Sequence, residues 1–121
     1  MIQLRSILQP ADNSGAKRVM VIGVSTKIGK KATIGDVVTC VVRGAHPAGL
    51  VKDKEKVKVL IVRTRKEIGR RDGTYVRFDD NAGVVINKQG LPIGTRILGP
   101  VAREVKAAGY NKIASLAREV I

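Results

Sequence analysis

Val59-Leu60-Ile61-Val62 is an unbroken apolar run that passes directly into Arg63, Arg65, Lys66, Arg70 and Arg71, five cations against the single acid Glu67. Such a run reads as a core strand, so the chain is built to deliver positive charge from the end of a rigid element. Asp72-Gly73 then marks a tight hairpin turn, with both central positions expected at positive φ. Tyr75 to Phe78 follows as a short strand with Val76 and Phe78 on one face and Tyr75 and Arg77 on the other. Asp79, Asp80 and Asn81 reverse the chain before Val84-Val85-Ile86. In isolation a loop this basic is either a solvated hairpin tip or a phosphate-facing surface.

The first half also reads as β. Ala16 to Ser25 and Asp36 to Arg43 are β-branched runs, entered from the Asp12-Asn13-Ser14-Gly15 turn and from Gly35. They are too apolar for strict alternation, which predicts cover on both faces for part of their length. A basic loop, Lys27 to Lys31, separates them, and Ala45 to Leu50 reads as a loop. Lys52, Lys54, Lys56 and Lys58 share one parity, so a strand there would show a comb of four lysines. Val57, Val59 and Ile61 share a face that continues into Arg63 and Arg65. The strand therefore either leaves the core after Ile61 or contains a bulge, its far end projecting beyond the barrel. Ile93 to Pro100 is irregular or a short strand. Only the tail has helical spacing, at Val101 to Ala108 and at Asn111 to Val120, the latter through Ile113, Leu116, Ala117 and Val120. Five or six short strands and a helical end predict a mainly β chain, a small closed or nearly closed β-barrel with short C-terminal helices. A single domain over residues 1–121 is expected, with the barrel to about residue 100 and the helical part beyond it.

With 23 Lys+Arg against 10 Asp+Glu, the formal charge is +13. A polyanion is the expected partner. Nucleic acid is favoured over a membrane, since no basic amphipathic helix and no apolar run near the roughly 18 residues of a span is present. One Phe, two Tyr and no Trp leave few platforms for base stacking. Recognition of RNA backbone and shape therefore fits better than sequence readout. Residues 78–121 hold six cations and four acids, which points that end toward a protein contact.

Catalytic constellations do not emerge. Gly29-Lys30 lacks the spaced Gly and the following Ser or Thr of a P-loop. Asp72, Asp79 and Asp80 sit where carboxylates cap turns. Ser14 has no histidine that the sequence brings near, and its turn either points amides at phosphate or simply enters a strand. A lone Cys40 reads as a small core residue in a reducing interior, and a lone His46 as an exposed loop residue, so no zinc site, cofactor or small-molecule substrate is expected. The N-terminal MIQLRSILQPADNSG has no h-region or cleavage pattern, so a cytoplasmic protein without a signal or transit peptide is expected.

Asp72-Gly73, Phe78, Asn81 and Val84-Val85-Ile86 resemble the signature of the L-fourteen family of large-subunit ribosomal proteins. Flanking anchors agree in order along the whole chain: Met1-Ile2-Gln3, Ala11 to Ala16, Ile34-Gly35-Asp36, Val62-Arg63-Thr64, Gly94 to Ile97, Gly99 to Glu104, Lys112-Ile113 and Ser115-Leu116-Ala117. The resemblance implies a five-stranded barrel bound to large-subunit rRNA, neighbouring ribosomal proteins L-three and L-nineteen. It also implies an intersubunit bridge to small-subunit rRNA and a docking site for the ribosomal silencing factor at Thr95, Arg96, Lys112 and Ser115. The chain departs from the family at Arg118, where Pro is common, so the last helix is expected to run further, and at Leu98, where Phe is usual. The lack of a transit peptide leans toward a bacterial rather than an organellar member.

The phosphate contacts are assigned to Lys17, Arg18, Lys30, Lys31, Arg43, Lys52, Lys54, Arg63, Arg65, Lys66, Arg70, Arg71 and Arg77. Two rivals remain at this level: a free RNA-binding chaperone or regulator that does not need the tail, and a protein-docking platform centred on Thr95 and Arg96.

Overall fold

A computed structural model describes residues 2–24 and 31–121. Five strands, β1 (Ile7–Pro10), β2 (Val19–Gly23), β3 (Val37–Val42), β4 (Lys56–Arg63) and β7 (Ala82–Ile86), close into a barrel in the order β1-β2-β3-β4-β7. Neighbours are antiparallel except at the seam, where β1 runs parallel to β7 with Gln9 opposite Ala82 and Pro10 opposite Gly83. Closure leaves no strand edge unpaired within the barrel. Two short strands, β5 (Ile68–Gly69) and β6 (Tyr75–Val76), form a separate hairpin, and α1 (Arg103–Ala107) and α2 (Asn111–Leu116) complete the chain.

The aliphatic runs explain the core. In β3 buried Val38, Cys40 and Val42 alternate with half-buried residues, whereas the last five residues of β4 and all of β7 are buried. Double cover thus falls chiefly on β4 and β7, rather than on the two earlier runs for which it was expected. The C-terminal segment supplies the second layer. The Ala102 amide donates to the Val62 carbonyl (3.3 Å), and Val101, Ala102, Val105 and Ile113 join the same apolar cluster.

The parity conflict in β4 resolves as a bulge: Ile61 opposes Gly83 but Arg63 opposes Ala82, leaving Val62 as the extra residue. The strand does not project at Arg63, which stays buried; the hairpin that follows carries the charge outward instead. The lysine comb does not form, because Lys52 to Glu55 is a turn with Lys54 at φ 64° and only Lys56 and Lys58 lie on the strand. β1 has no counterpart among the expected strands. Only Leu8 of its four residues is buried, too few for an alternation to register, and Pro10 argues against a strand. Pro10 is tolerated because the Gln9 and Ala11 amides make the bonds to the Asn81 and Gly83 carbonyls on either side of it (2.9 and 2.8 Å).

The Asp72-Gly73 turn differs from the expected form. The Gly73 amide donates to the Arg70 carbonyl (3.1 Å), and only Gly73 of the pair has positive φ (85°). This is the three-residue loop with a left-handed glycine, not a two-residue turn. α2 also ends earlier than expected. Ala117 is extended, and Val120 pairs with Val101 instead of continuing the apolar helix face, so Arg118 does not lengthen the helix.

Gly83 sits where a Cβ would lie 2.3 Å from Val59 Cγ1 and 3.1 Å from the Leu60 carbonyl oxygen. Gly83→Ala is expected to lower stability by about 1–3 kcal/mol through overpacking. Urea unfolding should show this as a lower midpoint at unchanged slope.

Candidate nucleic-acid interface

One cationic surface is set by backbone pairing. One step beyond the Val19–Val42 pair, the Arg43 amide donates to the Arg18 carbonyl (2.8 Å) and the Lys17 amide to the Gly44 carbonyl (2.8 Å). Val19 and Val42 point into the core, so Arg18 and Arg43 point out, side by side. Opposed like charges on neighbouring strands are destabilising on their own. Among the described residues, the ion pairs are Arg63 with Asp80 and Arg70 with Glu104, and neither involves this surface. Lys17, Arg18 and Arg43 line a shallow concavity of about 580 Å³ with Ile7 and Gln9.

The same surface extends into the next turn. The Lys54 amide donates to the Val42 carbonyl (2.9 Å), and Asp53 accepts from the Gly44 amide (2.8 Å), so Lys52 and Lys54 are held beside Arg43. Lys56 lies opposite Val41 and extends the strip. Lys31 is exposed beside the Ala32–Ile2 bridge, while Lys30 lies outside the described residues. Arg65, Lys66, Arg71 and Arg77 are exposed on and beside the hairpin, forming a second basic surface.

Two cations of the sequence-derived set do other work. Arg63 is only 8% exposed. Its Nε and Nη2 donate to Asp80 (3.0 and 3.3 Å), and its Nη1 donates to the carbonyls of Leu98 (2.8 Å) and Pro100 (3.1 Å). It is a structural cation, inaccessible to phosphate, because the bulge turns it inward. Arg70 is half-buried, its Nε and Nη2 donating to Glu104 Oε1 (3.1 and 2.9 Å), and so ties the hairpin to α1. Conversely, the sequence reading passed over Arg103 and Lys106. Both are exposed on α1 facing a hollow shared with Arg71, a proximity that helical spacing alone does not reveal.

The four residues that the family resemblance links to docking fall into two pairs. Thr95 and Arg96 are exposed on the segment after β7, where Asn13 Oδ1 accepts from both of their amides (2.8 and 3.0 Å) and Asn13 Nδ2 donates to Thr95 Oγ1 (2.8 Å). Lys112 and Ser115 lie exposed on α2, the Ser115 hydroxyl donating to the Lys112 carbonyl (2.8 Å). Among the described residues no hydrogen bond joins the two pairs.

Residues 1–121 match the sequence model of ribosomal protein L14p/L23e. The large ribosomal subunit protein uL14 of Petrotoga mobilis is 58% identical over 121 residues, with 99% of each chain covered. That of Aquifex aeolicus is 54% identical, with 100% of each chain covered. The chain belongs to the ribosomal protein L14p/L23e family. As a member of the L14p/L23e family it is a structural, non-enzymatic constituent of the large ribosomal subunit, acting in the cytoplasm as part of the ribosome.

The buried polar groups fit a structural role. The Ser14 hydroxyl and amide both donate to Asp12 Oδ1 (2.8 and 3.4 Å), so this amide turns inward rather than toward a phosphate. Burial pushes the Cys40 thiol up to about 12, which leaves it unreactive in the core. Exposed Asp72 is held below the usual carboxylate range by the Thr74 hydroxyl and then the Thr74 amide, as a turn cap.

Asp12 is displaced in the opposite direction. Burial raises its carboxyl above 3.8, although Ser14 and the Val85 amide (3.0 Å) hydrogen-bond its charged form. A raised folded-state pKa favours the protonated group, so its stabilising contribution is complete below 3.8 and is lost as pH rises through the folded midpoint. Carboxyl NMR titration should place the Asp12 midpoint above that of an exposed Asp. The stability of the wild type relative to Asp12→Asn should fall with rising pH across that window.

Proposed function

We propose that the chain binds large-subunit rRNA through two basic surfaces. One is the strip of Lys17, Arg18, Arg43, Lys52 and Lys54, and the other is the hairpin surface of Arg65, Lys66, Arg71 and Arg77. Exposed Lys31 contributes at the margin, whereas Arg70, held by Glu104, positions the hairpin. The carrying observation is the side-by-side arrangement of Arg18 and Arg43 with no acid paired to them among the described residues, an arrangement that phosphate neutralises. The cations stand on a closed barrel, so little side-chain placement has to be organised at the moment of binding. The exposed Thr95–Arg96 and Lys112–Ser115 pairs support a second role, docking of the ribosomal silencing factor. Ribosomal proteins L-three and L-nineteen are the proposed protein neighbours, and a bridge to small-subunit rRNA the proposed intersubunit contact.

Lys17→Glu/Arg18→Glu/Arg43→Glu, all exposed, should leave the thermal transition nearly unchanged while abolishing co-sedimentation with the large subunit in sucrose gradients. Wild-type affinity for an rRNA fragment should fall by roughly a thousandfold or more between low and moderate salt, as expected for six or more phosphate contacts. A salt-independent affinity would rule out the electrostatic reading. A free chaperone-like module would instead remain off the subunit even as wild type.

Arg96→Glu addresses the second role separately. Binding of the silencing factor to isolated large subunits should drop at least tenfold, with rRNA affinity within about twofold of wild type. An unchanged silencing-factor affinity would remove Arg96 from the docking surface.

A further inference from the structure

We propose that the hollow between the β5–β6 hairpin and the C-terminal helices receives a single unpaired nucleotide of RNA. The proposal rests on the RNA-binding reading above and names a structural element within that RNA. The cavity measures about 610 Å³, within the range of pockets that hold small organic molecules, and it is open to solvent. Gly69 and Ala107 are the small residues of its lining, and because the Tyr75 ring already covers the side-chain position of Gly69, Ala107 is the floor on which a flat ring can lie.

Around that floor the charges are unbalanced. Glu104 is the acid of the lining, and Arg70 already neutralises it at 2.9 Å. Arg71, Arg103 and Lys106 remain exposed and line the same space. Arg103 and Lys106 are three residues apart on α1, a spacing at which like charges repel unless an anion sits between them. Asn111 adds an amide able both to donate and to accept at the edge of a base.

An aromatic ring adjoins this wall. Tyr75 is opposite Gly69 in the hairpin, its Cε1 3.2 Å from where a Gly69 Cβ would stand, and it is 73% exposed. Phe78 and Tyr110, in contrast, pack against the core. Tyr75 therefore offers a base next to the hollow a surface to stack on. A paired stretch cannot enter, because its bases are stacked inside the duplex. An acidic protein segment would meet the same cations, but a small floor residue and a neighbouring aromatic suit a planar base better than an aliphatic anchor.

The test measures binding of the purified full-length protein, by fluorescence anisotropy, to a short RNA hairpin with one bulged adenosine and to the same hairpin without it. The bulged RNA should bind roughly tenfold more tightly, the order expected for one stacked base. Ala107→Leu fills the floor while keeping a strong helix former. It should erase the preference and leave both the affinity for the plain hairpin and its salt dependence unchanged. Tyr75→Phe should retain the preference and Tyr75→Ala should reduce it. Equal affinity of wild type for the two hairpins, or a preference that survives Ala107→Leu, overturns the nucleotide pocket while leaving the RNA-binding reading intact. Failure to bind either hairpin overturns both. Poly-glutamate that binds wild type but not Ala107→Leu would assign the hollow to an acidic protein segment and overturn the nucleotide.

Discussion

The arrangement of the outer surface depends on one buried guanidinium. Arg63, at the end of β4, ties Asp80, just before β7, to the carbonyls of Leu98 and Pro100. A buried carbonyl without a partner costs about 1–3 kcal/mol, so a planar group that satisfies two carbonyls and one carboxylate fixes where the C-terminal segment leaves the barrel. From there the Ala102 amide reaches Val62, α1 follows, and Glu104 captures Arg70. Hairpin, tail and barrel are thereby held in one relation, and the exposed cations inherit their positions from it.

Charge in this chain divides into two kinds by burial. The inward cations find acids, as at Arg63–Asp80 and in the half-buried Arg70–Glu104 pair, while buried Asp12 is held by Ser14 and the Val85 amide. On the barrel wall, Arg18 and Arg43 stand opposed with no ion pair to an acid among the described residues. Desolvation separates the two groups: a buried charge must be paired where it lies, whereas an exposed one can wait in water for a partner that neutralises it. A formal charge of +13 is therefore not spread evenly as surface solubility but concentrated on strips and turns.

Much of the barrel was legible in the sequence, because aliphatic β-branched runs such as those in β2, β3 and β4 have few other uses. Parity in β4 left two outcomes open, an exit from the core or a bulge, and the bulge is the one that forms. What parity could not say was which way the bulge would send Arg63. That depended on Asp80 and on two carbonyls 35 and 37 residues away. β1 was invisible for a related reason: its strand identity comes from β7 rather than from its own four residues. Among the proposed binding residues, the exposed strand-flanking cations were chosen by charge alone, and Thr95 and Arg96 only by the family resemblance. The convergence of Arg71 with Arg103 and Lys106 could not be read, since it needs the fold to bring α1 beside the hairpin.

The parallel seam between β1 and β7 also sets an order in time. The hydrogen bond from Val85 to Asp12 spans 73 residues, and the Gln9–Ala82 pairing lies beside it. Loop-closure entropy has to be overcome before such contacts return any free energy. During synthesis, the first strand must therefore wait, unpaired on one side, until the strand that completes the ring has emerged. Barrel closure is a late and cooperative event, and the basic strip is carried on an open sheet until it happens.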